Sequence, residues 1–307
     1  MSISRAVLCW CLLLTVPSAL CVAAEWQSPL LQSHPLVGQI VERQSGQVIS
    51  YRELIARLEQ YPMILIGEKH DNPDHHRFES RLLDSLVTAQ TAVAFEMLDD
   101  GYTPALETLP DDLSLAELKT ALRWPENGWS WDDYGPLLSQ VLQQGGQIKS
   151  ANIDRTQMMA IYREGSSVLR DQRRFASVAR VRDDLQKPIM NLVFESHCGK
   201  MAKEKLQPMV DIQLARDASM AAALAGQGDT VKPLRSILIA GGIHARKDVG
   251  VPRHLPAKTR AVTLLMIEVD EQRTEAGEYP AIQQNQADYV WFSPMFTDED
   301  YCSRLSE

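Results

Sequence analysis

Residues 63–76 read MILIGEKHDNPDHH, and this stretch decides the fold of the chain. Its first part, residues 63–67, is a short apolar run of the kind that forms a buried strand. Asn72 and Pro73 then predict a helix start, because Asn caps the first turn and Pro is tolerated at the first helical position. A second apolar run follows at residues 92–96. A strand, a helix and a strand at this spacing predict parallel pairing.

The alternation of short apolar runs and helical patterns continues along the chain. Further strands are predicted at residues 148–151, 236–240 and 261–266, and helices at residues 72–90 and 133–144. Residues 156–226 have helical spacing and are interpreted as a helical insertion packed on this core. We therefore expect an α/β fold with a mostly parallel central sheet flanked by helices. Residues 25–307 are expected to form one domain, with a core at about 38–270.

Composition agrees with a globular protein and excludes one class of partner. The chain has 307 residues, of which 45% are hydrophobic and 23% charged, so fibrous and disordered classes are excluded. Its formal net charge of −9 provides no overall basic surface for a phosphate backbone. We therefore expect no nucleic-acid partner.

The N-terminal segment has the pattern of a secretory signal peptide. Residues 1–24 contain Arg5, then a short apolar run, then small residues that end at Ala24. We expect cleavage after Ala24 and export to the periplasm. Leu20 directly before Cys21 makes a poor acylation site, so association with a membrane is expected only if Cys21 carries a lipid.

Cleavage at this site would leave two cysteines, Cys198 and Cys302. An oxidising compartment permits a disulfide between them. Two thiols about a hundred residues apart can equally stay unpaired. The sequence leaves both alternatives open.

Two Gly-x-x-His motifs and a carboxylate follow strands of the predicted sheet. Gly67 and His70 follow the first strand, Glu96 ends the second, and Gly241 and His244 follow a later one. Because the carboxyl ends of parallel strands meet at one edge, these side chains are expected to lie together, where such folds bind ligands. Each glycine is expected to let the backbone turn sharply.

Imidazoles and carboxylates at one edge have three interpretations. They can hold a divalent metal ion, with Glu68, His70, Glu96 and His244 as ligands, or they can act as a general acid and base. Alternatively, the glutamates cap helices and the histidines bond to backbone. His75 and His76 lie in the first turn of a helix, where the helix dipole predicts neutral rings able to bind a metal. The spacing does not decide which of these two faces the crevice.

In these motifs the chain resembles the ChaN-like haem-binding uptake proteins, within the Tiki/TraB/erythromycin-esterase-like superfamily. The resemblance covers about residues 38–270. The motifs that carry it are Gly67 to His76, Phe95-Glu96-Met97, Trp124, Trp129 to Tyr134, His197-Cys198-Gly199, Arg216 to Ala221, Gly241 to His244 and Gly250-Val251-Pro252.

The resemblance implies a function and a site. The superfamily signature, two Gly-x-x-His motifs and a separate glutamate, matches here at His70, His244 and Glu96. The ChaN branch implies haem binding between protomers and iron acquisition at the cell envelope, whereas other branches resemble metal-dependent hydrolases. Proteins of the ChaN branch are commonly lipoproteins, and the poor acylation site at Cys21 departs from that pattern.

Haem needs an axial ligand and an apolar slot. The aromatic segment at residues 124–134 can supply both an apolar surface and a phenol group. Tyr134 is the candidate ligand for ferric iron, with a buried core tyrosine as the alternative. Arg246, with Lys247 and Arg253, is a candidate partner for the propionates. The candidate cofactor-binding residues are His70, His76, Trp129, Tyr134, His244 and Arg246.

We therefore expect an envelope haem-binding protein involved in haem or iron uptake. The expected partners are haem, a second copy of the chain in a homodimer, and haem-transport components of the envelope. The alternative is a metal-dependent hydrolase that uses Glu68, His70, Glu96 and His244 with a divalent ion.

Overall fold

The computed structural model describes residues 26–110, 112–226 and 232–304. The predicted signal peptide lies outside the described residues. The described chain contains eight strands, which in chain order are β1 (Ile40–Glu42), β2 (Val48–Ile49), β3 (Met63–Glu68), β4 (Thr91–Asp99), β5 (Gln147–Asn152), β6 (Arg235–Gly241), β7 (Ala261–Glu268) and β8 (Tyr289–Ser293).

Ten α-helices connect or flank these strands within the described residues. They are α1 (Tyr51–Leu58), α2 (Pro73–Leu86), α3 (Thr103–Leu106), α4 (Leu115–Ala121), α5 (Trp131–Gln143), α6 (Arg155–Glu164), α7 (Gln172–Ser196), α8 (Gln207–Leu224), α9 (Gly242–Ala245) and α10 (Pro280–Gln283). Short 3-10 helices lie at Asp100–Tyr102, Ser166–Val168, Lys203–Lys205, Val251–Arg253, Ala276–Glu278 and Tyr301–Arg304.

The strands form one sheet in the order β2-β1-β8-β7-β3-β6-β4-β5. The six strands from β8 to β5 are parallel to one another, and β1 pairs antiparallel with both β2 and β8. The α/β class and the mostly parallel sheet are therefore confirmed. All five predicted strands are present as β3 to β7, and they are contiguous in the sheet. The strands β1, β2 and β8 are additional.

Alternate residues of the central strands are buried on opposite faces of the sheet. On one face Ile64 and Ile66 of β3 join a core that also includes side chains of α2 and α5. On the other face Leu65 packs with Met220 and Leu224 of α8. This burial on both faces explains why the strands are continuous apolar runs rather than alternating ones.

The predicted helical region at residues 156–226 contains α6, α7 and α8. A third apolar cluster holds these helices together through residues such as Ile161, Val181 and Leu214. Helix α8 also covers the sheet, so this region both extends the fold and completes its second face. Among the described residues, no helix has the length and apolar character needed to cross a membrane.

Cys198 and Cys302 form a disulfide with a Cα–Cα distance of 5.6 Å. Cys198 follows the end of α7, and Cys302 lies in the last 3-10 helix. The bond attaches the last described segment of the chain to the helical region. The pairing that the sequence left open is therefore present.

His254 is a buried histidine between the helical region and the sheet. Its Nδ1 atom lies 3.0 Å from the Ser177 hydroxyl, while its Nε2 atom has no hydrogen-bond partner among the described residues. Burial lowers the pKa of His254 from 6.5 to about 4; nearby Asp217 opposes this shift, while Arg180 and Arg253 add to it. Protonation of this ring is therefore unfavourable in the folded protein.

The lowered pKa of His254 predicts a loss of stability in acid. Between pH 6.5 and about 4, the unfolded chain protonates this histidine and the folded chain does not. The free energy of unfolding should therefore fall as the pH is lowered through this window, by up to about 3 kcal/mol from this residue. Urea unfolding of the wild type and of His254→Gln at several pH values measures the difference. Parallel stability curves for the two proteins would contradict the prediction.

Candidate functional site

The carboxyl ends of β3, β6 and β4 meet at one edge of the sheet, as the sequence predicted. Oε2 of Glu96 accepts a hydrogen bond of 2.7 Å from the backbone N–H of Gly241. The Nε2 atom of His70 lies 3.8 Å from Glu96 Oε2, and that of His244 lies 3.6 Å from Glu96 Oε1. Glu96 therefore stands between the two histidines of the Gly-x-x-His motifs.

The two glycines of these motifs allow close packing of neighbouring atoms. Gly67 lies inside β3, and a Cβ atom there would lie 2.5 Å from Leu265 and 2.8 Å from Ala245. At Gly241, which ends β6, a Cβ atom would lie 2.7 Å from the Nε2 atom of His70. Neither glycine has a positive φ. The predicted turn is therefore absent at Gly67, whereas at Gly241 the chain passes from β6 to α9; at both positions the absent side chain makes room for neighbouring atoms.

His70 is held at the surface by its Nδ1 atom. That atom lies 3.0 Å from Glu68 Oε1 and 3.1 Å from the Tyr134 hydroxyl. Its Nε2 atom makes no hydrogen bond with a described residue, and the side chain is 33% exposed. The ring of Trp129 packs against it with centroids 4.7 Å apart. Burial lowers the pKa of His70, but the Glu68 hydrogen bond and the charges of nearby glutamates outweigh it and raise the pKa.

Tyr134 lies beneath this surface and is 1% exposed. Its hydroxyl donates a hydrogen bond of 2.8 Å to Glu68. Burial and the charges of Glu68 and Glu79 raise the pKa of Tyr134, so the phenolate form is disfavoured. The geometry makes Tyr134 a positioning residue for Glu68 and His70 and favours the alternative of a buried core tyrosine over an iron ligand.

His75 and His76 point in different directions. His75 accepts a hydrogen bond of 2.9 Å from the Lys69 N–H at Nδ1, and its Nε2 atom lies 2.9 Å from the Ser293 hydroxyl. Burial lowers the pKa of His75, so this ring is neutral as expected. Its two contacts hold the loop before α2 against the end of β8. Asn72 caps that helix as predicted, accepting from the backbone N–H groups of residues 74 and 75. His76 is the ring that faces the site.

His76 lies between two buried carboxylates. Its Nδ1 atom is 3.1 Å from Glu79 and 3.2 Å from Glu68. Burial lowers the pKa of His76, but the two glutamates outweigh it and raise the pKa to about 9, so the prediction of a neutral ring was wrong for this residue. Burial and the charge of Glu68 raise the pKa of Glu79. The helix dipole is outweighed here by nearby full charges.

His244 is buried and paired with an acidic residue of α8. Its Nδ1 atom lies 2.5 Å from Asp217 Oδ1. The preceding residue, Arg216, donates a hydrogen bond to Glu96. Burial raises the pKa of Glu96, but the charges of His244 and Arg216 outweigh it and lower the pKa to about 2. The guanidinium of Arg216 therefore contacts Oε1 of Glu96, one of the two oxygens that the predicted four-residue metal site would use.

The remaining candidates differ in their distance from this edge. Trp124 is buried in the core and does not reach His70, whereas Trp129 does. Arg246 makes two hydrogen bonds to Asp248, of 2.9 and 2.6 Å. Its predicted role with propionates would therefore compete with this existing pair.

Three residues contact the site although their sequence positions did not predict it: Glu79, Arg216 and Asp217. Glu79 carried a usable signal, since it lies three residues after His76 on a helix and shares its face. Arg216 and Asp217 carried none in their spacing, because they lie on a helix more than a hundred residues from Glu96. The segment was otherwise indicated only as one of the motifs that carry the family resemblance.

A family model described as "Haem-binding uptake, Tiki superfamily, ChaN" matches residues 54–255, more than half of the chain. Among solved structures, ChaN of Campylobacter jejuni, described as showing cofacial heme binding, has a TM-score of 0.65 and 23% identity. That match covers 82% of this chain and 95% of the other, and it shows the fold. The type III effector HopBA1 matches with a TM-score of 0.37 and 11% identity, over 79% and 92% of the two chains. No curated protein matches the chain.

Proposed function

This chain belongs to the ChaN family of haem-binding uptake proteins in the Tiki superfamily, and from that membership we propose that it binds haem at the sheet edge. His70 is the proposed axial ligand. Bound haem supplies an iron centre that takes a donor atom from the protein. The protein supplies the donor, its orientation and the apolar surface around it.

The orientation of His70 is the observation that carries this proposal. Glu68 and Tyr134 fix the ring through Nδ1, so in the neutral ring the proton is held there and the lone pair is on Nε2. Histidines that bind metals are commonly held in this way, with the second ring nitrogen bonded to a carboxylate. Nε2 of His70 makes no hydrogen bond within the described part of the chain. The ring is partly exposed, so a large planar ligand can reach it.

One apolar side chain packs on the ring and another is exposed at the same edge of the sheet, and both suit a porphyrin. Trp129 packs on His70, and Ile243, which follows β6, is 43% exposed although it is a large hydrophobic residue. A haem lying on this surface would leave one face open to water. A second copy of the chain would cover that face, which supports the homodimer as part of the proposal.

A hemin titration of the purified protein tests the proposed function. Binding through His70 should shift the Soret band and saturate at a defined stoichiometry, and size measurement with and without hemin should show whether dimers form. A spectrum that never departs from that of free hemin would reject haem binding. A saturating spectrum with an unchanged size would reject only the dimer.

Gly241→Ala is expected to weaken haem binding about tenfold by displacing His70. The new Cβ atom would lie 2.7 Å from Nε2 of His70, the proposed donor. Gly242→Ala is the matched control, because its nearest contact would be 3.5 Å away at the backbone oxygen of Glu68. Hemin titrations of both variants measure the effect. Equal affinities for the two would contradict the placement of the donor.

The hydrolase alternative is less well supported by the geometry. It requires Glu96 as a metal ligand, whereas Glu96 accepts hydrogen bonds from Arg216 and Gly241. A cation beside Arg216 would be repelled by the guanidinium. We therefore retain haem binding as the function that the site supports best.

We further propose that the protein acts in haem or iron uptake in the periplasm, together with haem-transport components of the envelope. The signal-peptide pattern of residues 1–24 supports export. The disulfide between Cys198 and Cys302 supports an oxidising compartment. Fractionation of cells that express the tagged protein tests the location.

A further inference from the structure

A second cluster of side chains lies next to His70, towards the protein interior. It consists of Glu68, His76 and Glu79. All three side chains are buried, and one nitrogen or oxygen atom from each lies within 4.8 Å of those of the other two. Two carboxylates therefore face a single imidazole in the protein interior. Buried carboxylates are costly unless a positive group balances them.

The ring of His76 is oriented as a ligand would be. Its Nε2 atom lies 3.0 Å from the backbone oxygen of His70 and donates to it, because that oxygen can only accept. In the neutral ring this leaves the lone pair on Nδ1, which is the atom that faces both glutamates. A backbone carbonyl on the far nitrogen is a usual support for a metal-binding histidine.

Two carboxylate oxygens in the cluster lack partners. Oε2 of Glu68 and Oε1 of Glu79 are buried and have no hydrogen-bond partner among the described residues. Oε2 of Glu68 lies 3.2 Å from His76 but without the geometry of a hydrogen bond. A proton on Nδ1 of His76 would form a hydrogen bond with Oε2 of Glu79, and both of these other oxygens would still lack a partner. A divalent ion could bind both carboxylates and the ring.

We propose that Glu68, His76 and Glu79 form a binding site for one divalent transition-metal ion, separate from the axial ligand His70. Ligand atoms about 2.1 Å from a shared ion lie about 3.0–3.4 Å from one another. The distances of 3.1 and 3.2 Å around Nδ1 of His76 match this spacing. One imidazole and two carboxylates suit Zn²⁺, Mn²⁺, Fe²⁺ and Co²⁺, and two negative charges balance the ion.

Co²⁺ is the probe for this site, added to haem-free protein that has been treated with a chelator. Wild type should take up one equivalent, show ligand-field absorption bands, and gain thermal stability. Glu79→Gln keeps the shape of the side chain and removes one ligand charge. It should bind Co²⁺ at least about tenfold more weakly, and Glu164→Gln on the exposed end of α6 should bind as wild type does.

The outcomes of this experiment separate three readings. Equal Co²⁺ binding by wild type and Glu79→Gln, or no uptake by the wild type, would overturn the proposal. Loss of binding in Glu96→Gln with binding retained in Glu79→Gln would place the ion at the strand ends and would also overturn it. Near-UV circular dichroism establishes that each variant is folded. Since haem is absent throughout, these results do not depend on the proposed function.

Discussion

Replacing His70 with alanine is expected to weaken haem binding by at least about 100-fold and to change the Soret spectrum. His70 is the partly exposed ring at the sheet edge, and its Nε2 atom makes no hydrogen bond within the described residues. His244, by contrast, is buried and bonded to Asp217, and His76 is enclosed by two glutamates. Removal of His70 therefore removes the donor that the haem iron can reach.

The His70 prediction has a matched control and a chemical rescue. His197→Ala removes a histidine that follows α7 and whose Nδ1 atom contacts the Val193 carbonyl, and it should leave the affinity for hemin unchanged. Added imidazole should restore a histidine-like spectrum to His70→Ala, because the space left by the ring can admit it. Hemin titrations of both variants, with and without imidazole, measure these effects.

Tyr134→Phe decides between the two candidate ligands. Tyr134 is buried and donates to Glu68, so its loss should loosen the orientation of His70 and cost less affinity than the loss of His70 itself. If Tyr134→Phe abolishes binding while His70→Ala retains it, the phenolate is the ligand and the assignment to His70 is wrong.

Loss of the disulfide is expected to lower the free energy of unfolding by about 4 kcal/mol. Cys198 and Cys302 are 104 residues apart in the sequence, so the bond closes a long loop in the unfolded chain. Such a closure restricts the unfolded state and stabilises the folded one by about 3–5 kcal/mol in the chain-entropy description. Guanidinium unfolding of the double variant Cys198→Ser/Cys302→Ser measures the loss.

A reducing agent provides the control for the disulfide. It should lower the unfolding midpoint of the wild type and leave that of the double variant unchanged, because the variant has no bond to reduce. An unchanged wild-type midpoint under full reduction, verified by thiol labelling, would show that the bond adds no stability.

The central strands could be predicted because they are buried on both faces. Residues such as Leu65 and Ile66 point to opposite faces and are both fully buried, so the strand reads as a continuous apolar run. The strands β1 and β2, at one end of the sheet, have three and two residues, too few for any periodicity to indicate them. The pairing of Cys198 with Cys302 depends on tertiary contacts and had no local signal.

The sequence predicted where in the fold the site lies, but not which side chains contact one another there. The ends of parallel strands must share an edge, which brings Glu96 and the two motif histidines together without further information. The charge of His76, in α2, could not be deduced from the sequence. It depends on contact with Glu68, which lies at the end of β3. The position of Gly241 in its motif also gave no indication of its packing role. The absence of a side chain there makes room for the ring of His70, which follows β3.

The position of β3 between β6 and β7 sets the order in which the site can form. Met63 pairs with Ser236 and with Ala261, so both neighbours of this strand are made about 170 residues or more after it. A growing chain contains Glu68 and His70 long before the strands that support them exist. The haem affinity proposed here would therefore appear late in folding, and a chain interrupted before β6 would carry the ligand without the surface that orients it.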